Sequence, residues 1–214
     1  MVLKKNDFVE LEFTAKVKGG DIFDSNIKRD LEKANLNLDV KPLIFSLGEG
    51  MFLKGVDDFL IGKDIGNYEV ELSPENAFGF RDSKLVQLIP MKVFAAQKLN
   101  PIPGVMFNFD GRIAKILSVS GGRVIADFNN PSAGKIVVYK LNVKRKIDDI
   151  NEKSKAFIDF LFRREIPFEI KDKKIILKTE KNLVKFVELF KDKFKDILGL
   201  ELEVVEMEEK KKEN

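Results

Sequence analysis

Residues 42–66 read PLIFSLGEGMFLKGVDDFLIGKDIG. After Pro42 the apolar run Leu43 to Leu47 reads as a strand, which Gly48 and Gly50 close. Val56 to Leu60 fits one short helix between Gly55 and Gly62. On the N-terminal side, Val9, Leu11, Phe13, Ala15 and Val17 alternate with Glu10, Glu12, Thr14 and Lys16, the period of a strand with one buried face. Gly19-Gly20 turns it, Ile22-Phe23-Asp24 resumes an apolar stretch, and residues 25–40 form a long surface excursion with one helical turn. On the C-terminal side Tyr68, Val70 and Leu72 alternate with Glu69 and Glu71, and Pro74 ends that strand. PENAFGF at 74–80 then sets Phe78 in a turn, where a large ring has little core reason to stand.

Between Arg81 and Phe128 the pattern is that of a separate β-rich unit. Leu85 to Ile89 is followed by a short helix around Met91 to Ala96, then by strands punctuated at Asp110-Gly111 and Gly121-Gly122, both hairpin signals. Val137, Tyr139, Leu141 and Val143 mark a last long strand. Beyond Lys146 helices enter. Leu183, Phe186, Val187, Phe190, Phe194, Ile197 and Leu198 predict one amphipathic helix behind a Thr179 N-cap, stopped by Gly199. A shorter helix holds Phe157, Phe160 and Leu161, and strands at 168–170, 175–177 and 200–205 complete an αββαβ order. The end of the chain has no apolar face and reads as a disordered, solvated tail over 207–214.

With 44% hydrophobic and 34% charged residues in 214, the expected class is soluble and globular. No apolar run approaches the ~18 residues that span a bilayer. The expectation is therefore a cytoplasmic protein with no membrane partner. The chain has no cysteine and no histidine, which removes disulfides, thiolate zinc sites and imidazole-dependent triads. No cofactor and no metal site are expected. The 38 basic and 35 acidic residues are interspersed, so nucleic acid is not the expected partner either.

Three stretches in this order and spacing carry a resemblance: GGDIFDSN at 19–26, the opening stretch at 42–66, and ELSPENAFGF at 71–80. Together they resemble the FKBP-type peptidyl-prolyl cis-trans isomerases. ADFNNPSAGK at 126–135 is similar to the point where the insert-bearing, SlyD-like branch rejoins its core, and KLVQLIP at 84–90 is similar to the long archaeal members with a C-terminal extension. The implied fold is α+β: an FKBP-like antiparallel sheet wrapped on a short helix, with an inserted small β-rich domain and a C-terminal αββαβ domain. The implied boundaries are 1–82 plus 129–147 for the isomerase core, 83–128 for the insert-in-flap chaperone domain and 148–214 for the C-terminal domain.

The resemblance also implies the site. Phe78 takes the place of the turn aromatic that leans over an apolar prolyl pocket, and Phe13, Phe23, Asp24, Leu43, Phe52, Leu53, Val56 and Tyr139 align with pocket positions. The backbone N–H of Leu53 aligns with the donor to a substrate carbonyl. Phe13 and Phe78 stand where the family usually has tyrosine, and Val56 where it has a large floor residue. Asp24-Ser25-Asn26 also reads as turn chemistry, and the resemblance favours the functional reading. Rotating an X-Pro bond breaks no covalent bond, although its barrier is ~18–20 kcal/mol. A dry apolar cup, one donor and a nearby carboxylate suffice, and a chain without histidine or cysteine suits this.

In the insert, Leu88, Ile89, Met91, Val93, Phe94, Met106 and Phe107 are either a small core or a surface for unfolded clients. The resemblance favours the clients, so the expected partners are unfolded or partly folded proline-containing polypeptides. The C-terminal domain is either self-contained or the seam of a homodimer. Beside the folding enzyme stands the alternative of a holdase whose pocket binds with little or no turnover.

Overall fold

The computed structural model describes residues 2–38 and 40–207. The expected tail therefore lies, beyond Met207, outside the described residues. The first half of the chain runs β1 (Phe8–Val17), β2 (Ile22–Ser25), α1 (Lys28–Lys33), β3 (Leu43–Ser46), α2 (Lys54–Leu60) and β4 (Gly66–Leu72). Next come β5 (Val86–Pro90), α3 (Met91–Ala96), β6 (Met106–Phe109), β7 (Arg112–Ser120), β8 (Arg123–Asp127) and β9 (Val137–Ile147). The chain closes with α4 (Ile150–Phe162), β10 (Phe168–Lys171), β11 (Lys174–Thr179), α5 (Val184–Glu188), α6 (Lys191–Leu198) and β12 (Glu201–Glu206). Two compact units result. One joins the segments up to Lys16, from Asp21 to Val70 and from Tyr139 on; the other joins Val17–Gly20 with Glu71–Val138.

In the first unit β2, β1, β9 and β4 lie side by side and β3 also pairs with β1. Both short strands are antiparallel to β1, with Thr14 opposite Ser25 and Leu11 opposite Leu43. The alternation read from the sequence holds here: Leu11, Phe13 and Ala15 are buried. On the other face Glu10 receives Arg145 at 2.7 Å and Glu12 receives Asn142 at 2.9 Å. Helix α2 buries Gly55, Val56, Asp57 and Leu60.

The C-terminal segment shares this unit's interior. Helix α4 begins at Asp149, whose side chain accepts the Glu152 N–H at 2.8 Å. Its Phe157 and Ile158 bury with Phe8 and Ile147, against partly buried Ile44 and Met51. One apolar cluster thus runs from β1 and β3 into the αββαβ segment. Strands β11 and β12 pair in parallel, which requires a crossover, and α5 and α6 supply it. The expected single helix from Leu183 to Leu198 is therefore two. Thr179 is buried at the end of β11 and caps nothing, and the chain breaks its helix at Leu189 and Phe190. The break serves two aromatic groups: Phe190 meets Phe162 and Phe186 at 5.3 and 5.5 Å, while Phe194 meets Phe157 at 5.1 Å. Gly199 closes α6, as expected.

The second unit is built on an antiparallel sheet in the order β5-β8-β7-β6. Asp110-Gly111 and Gly121-Gly122 all have positive φ, the requirement of a two-residue hairpin turn. Phe94 of α3 sits on one sheet face with Ala114, Ile116, Val124 and Ala126. Where the chain enters and leaves this sheet, Arg81 pairs with Asp127. Asn129 accepts the Asp82 N–H at 2.8 Å and donates to the Asp127 carboxylate at 2.7 Å. Burial pushes the Asp127 carboxyl up, but Asn129 and the Arg81 guanidinium together hold it below its ordinary value.

Candidate active site

Four rings converge on one face of the first unit's sheet. Phe13 of β1 lies 5.2 Å from Phe52 and 6.0 Å from Tyr139 of β9. Tyr139 lies 6.0 Å from Phe52 and 6.3 Å from Phe23 of β2, in edge-on contact with both. Alternation along β1 and β9 brings Phe13 and Tyr139 to the same side, the register shift of β1 against β2 between Ala15 and Lys16 brings in Phe23, and the segment entering α2 adds Phe52. Leu43 is half-buried in β3, Leu53 is half-buried as the residue that caps α2, and Val56 is enclosed in the first turn with no exposed surface. Phe45 is a ring that sequence reasoning left out; it is buried, 5.4 Å from Phe52. Its place in a β3 strand that reads apolar throughout was the available signal.

Asp24 is a carboxylate beside Tyr139. It belongs to β2, opposite Ala15 of β1, so it is strand rather than turn. The fastening falls to its neighbours: Ser25 Oγ donates to the Phe13 carbonyl at 2.8 Å, and Asn26 accepts the Phe13 N–H at 2.7 Å. Burial pushes the Asp24 carboxyl up, and the Ser25 N–H holds it partly down. Burial, and then the Asp24 charge, raise the Tyr139 hydroxyl well above its ordinary value. Tyr139 therefore stays neutral, a buried ring with a polar tip beside a carboxylate. A concavity lined by Glu12, Thr14, Asp30 and Lys140 occupies the opposite sheet face. Its polar groups pair among themselves, Thr14 with Asp30 at 2.7 Å, and it is not the aromatic cup.

Phe78 belongs to the second unit, half-buried just after the 3-10 turn Pro74–Asn76. The residues expected to meet clients separate by sheet face. Leu88 and Met106 stand on the outer face, 56% and 45% exposed, and Val93 is exposed on α3. Ile89, Met91 and Phe107 pack inward on the core, and Phe94 is its centre, only 1% exposed. Phe94 is therefore corrected from client surface to core: its ring meets Phe107 and Phe109 at 5.8 and 5.6 Å. The outer face instead gains Ile113 and Ile125, which strand register sets on the same side as Leu88. Among the described residues no group of three or more Asp or Glu could hold a metal ion, and no helix is long and apolar enough to cross a membrane.

The rings of Phe13, Phe23, Phe52 and Tyr139 thus gather on one antiparallel sheet, with the half-buried Asp24 beside Tyr139. Residues 2–94 match the family model described as FKBP-type peptidyl-prolyl cis-trans isomerase, and residues 87–132 match one described as FKBP26, IF domain. The chain is 29% identical over 147 residues to the "Short-type peptidyl-prolyl cis-trans isomerase" of Methanocaldococcus jannaschii, covering 67% of this chain and 93% of that protein. It is 30% identical over 144 residues to the "Probable FKBP-type 16 kDa peptidyl-prolyl cis-trans isomerase" of Pseudomonas fluorescens, covering 65% and 88%. Against SlyD of Aeromonas hydrophila, another FKBP-type isomerase, identity is 27%, over 64% of this chain and 60% of that one. The crystal structure of AtFKBP13 matches at 17% identity and a TM-score of 0.37, covering 68% and 82%. The chain belongs to the FKBP-type peptidyl-prolyl cis-trans isomerases and is an enzyme of that kind. Neither family match extends past residue 132.

Proposed function

We propose that this isomerase turns X-Pro bonds in the cup of Phe13, Phe23, Leu43, Phe52 and Tyr139, with Asp24 as its carboxylate and the Leu53 N–H as its donor. The observation that carries the reading is the convergence of four rings on one half-buried carboxylate. A prolyl ring in such a cup leaves water, and the twisted amide, which has lost resonance, is favoured over the planar one by fixed dipoles rather than by a nucleophile. Val56 would support the cup from beneath. The resemblance adds Phe78, which substitution tests separately.

The second unit is proposed as the insert-in-flap chaperone domain, whose outer face holds unfolded, proline-containing chains. Four exposed aliphatic side chains on one sheet face, Leu88, Met106, Ile113 and Ile125, support that reading. A second copy of the chain is the proposed partner of the C-terminal segment, where Phe186 is half exposed and Leu189 is 78% exposed. The proposed setting is the cytoplasm, in keeping with a chain that has no cysteine.

Proline-limited refolding of an unfolded model protein tests the whole. The expected result is acceleration by the full chain, lost when residues 83–128 are replaced by a short loop, while isomerisation of a short proline peptide survives that replacement. Suppressed aggregation with no acceleration of either substrate would leave a holdase.

A further inference from the structure

Beneath the segment that carries Phe52 lies a carboxylate for which the prolyl cup has no use. Asp57, in the first turn of α2, is 2% exposed, and its Oδ1 is enclosed without a hydrogen-bond partner. The backbone N–H groups of Gly48 and Gly50 donate to the carboxylate. Both glycines have left-handed backbone, with φ of 78° and 68°, so the turn that aims these N–H groups inward is one that a side chain would strain. The segment continues through Met51, whose Sδ accepts the Ser46 N–H at 3.3 Å, to Phe52 and its ring contacts. Among the described residues no cation acts on Asp57. Glu49 is paired with Lys5 at 3.3 Å and Asp58 with Lys54 at 2.6 Å, and both of these carboxylates repel it.

An enclosed, half-paired carboxylate is unfavourable for folding, and a helix that needed only packing here would be served by a neutral side chain. We infer that Asp57 is a positioning residue for the isomerase: by holding Gly48 and Gly50 it fixes where residues 48–53 present the Phe52 ring and the Leu53 N–H. This role rests on the cup proposed above. Burial, the main cause, pushes the Asp57 carboxyl up to about 6. A protonated carboxyl accepts N–H groups more weakly than a carboxylate, so the loop slackens, and isomerisation slows, as pH falls through that value.

The full-length chain, Asp57→Asn and Phe52→Ala are assayed on a short proline peptide from about pH 5 to about pH 8, a range that brackets the titration. The unaltered chain is expected to lose kcat/KM toward acid with an inflection near pH 6. Asp57→Asn is expected to run flat, about three- to tenfold below the unaltered chain at the alkaline end. An inflection that survives unchanged in Asp57→Asn, with Phe52→Ala slow throughout, overturns the role of Asp57 and passes the titration to another group such as Asp24. A Phe52→Ala variant as fast as the unaltered chain overturns the cup itself, and this role with it. Should Asp57→Asn fail to fold, the Gly48 and Gly50 amide resonances of the unaltered chain decide: movement with a midpoint near pH 6 supports the inference, and no movement overturns it.

Discussion

Phe13 and Phe52 meet ring to ring, centroids 5.2 Å apart and planes tilted by 56°, which ties β1 to the residue two places before α2. Such a pair adds about 0.5–1.5 kcal/mol beyond the area it buries. Phe52→Ala is expected to cost about 2–3 kcal/mol in thermal unfolding, since the ring is only half-buried. The same change should lower kcat/KM on a short proline peptide by about tenfold or more, because the cup loses one wall. Phe13→Leu, which keeps most of the volume, should fall between this variant and the unaltered chain in both measurements.

Phe78 is the proposed turn aromatic of the site, and giving it a hydroxyl tests that proposal by a gain rather than a loss. Phe78→Tyr is expected to tighten a proline peptide by less than tenfold, the worth of one hydrogen bond of ~1 kcal/mol. Phe78→Ala should weaken binding, and calorimetric titration reads both.

Substitutions on the outer face of the second unit's sheet test the proposed chaperone role apart from the chemistry. Leu88→Lys combined with Ile113→Lys alters two residues that are 56% and 58% exposed, so folding should change by less than about 1 kcal/mol. Aggregation of an unfolded protein should no longer be suppressed, while peptide isomerisation continues at its former rate. Phe94→Ala is the contrasting case. It empties the centre of that unit's core and should cost about 3–5 kcal/mol, visible as early loss of hydrogen-exchange protection in β7 and β8.

Asp127 makes the second unit acid-sensitive. Its carboxyl is held below its ordinary value in the folded chain, so the folded state binds the proton less tightly than the unfolded one. The stabilisation is present above the unfolded value of 3.8 and is lost as pH falls through the folded value. Asp127→Asn should cost about 1–2 kcal/mol near neutral pH, a modest figure because water screens the half-exposed Arg81. Denaturant midpoints measured against pH should show a flatter acid limb in the variant.

Asp57 acts in the opposite sense. Its folded value of about 6 lies above the ordinary 3.8, so its own contribution to stability is greatest below 3.8 and declines as pH rises to about 6. At alkaline pH the burial of its charge costs up to about 3 kcal/mol. Asp57→Asn should therefore unfold at a higher denaturant concentration than the unaltered chain at about pH 8, and the difference should shrink toward acid. A variant that is more stable and slower would mark the carboxylate as kept for positioning rather than for folding.

Local order was legible wherever a short-range rule decides it. The alternation of Val9 to Val17, the hairpin turns at Asp110-Gly111 and Gly121-Gly122, and the stop at Gly199 all depend on a few neighbouring residues, and each stands as read. Phe13, Phe23, Phe52 and Tyr139 were reachable by resemblance, and three strands and a loop bring them together. The break at Leu189 was not legible, because the apolar spacing runs through it and only the choice between Phe162 and Phe157 as ring partners bends the chain. At the start of α4 the Asp149 side chain accepts the Glu152 N–H, a local signal that the sequence reading did not use.

By itself the sequence determined most of the elements, the isomerase family and the exclusion of thiol and imidazole chemistry, since periodicity, turn residues and composition are properties of the chain alone. Tertiary structure decided which members of each apolar set face water. Leu88 and Phe94 are equally apolar on paper, yet one lies on the outer face and the other fills the core, because strand register and the seating of α3 set the side. It also decided the state of Asp57. Nothing in GVDDFL distinguishes the first aspartate from the second, but the helix turns Asp57 inward under Gly48 and Gly50 while Asp58 meets Lys54 in water. A pKa depends on what surrounds a group, and folding supplies the surroundings.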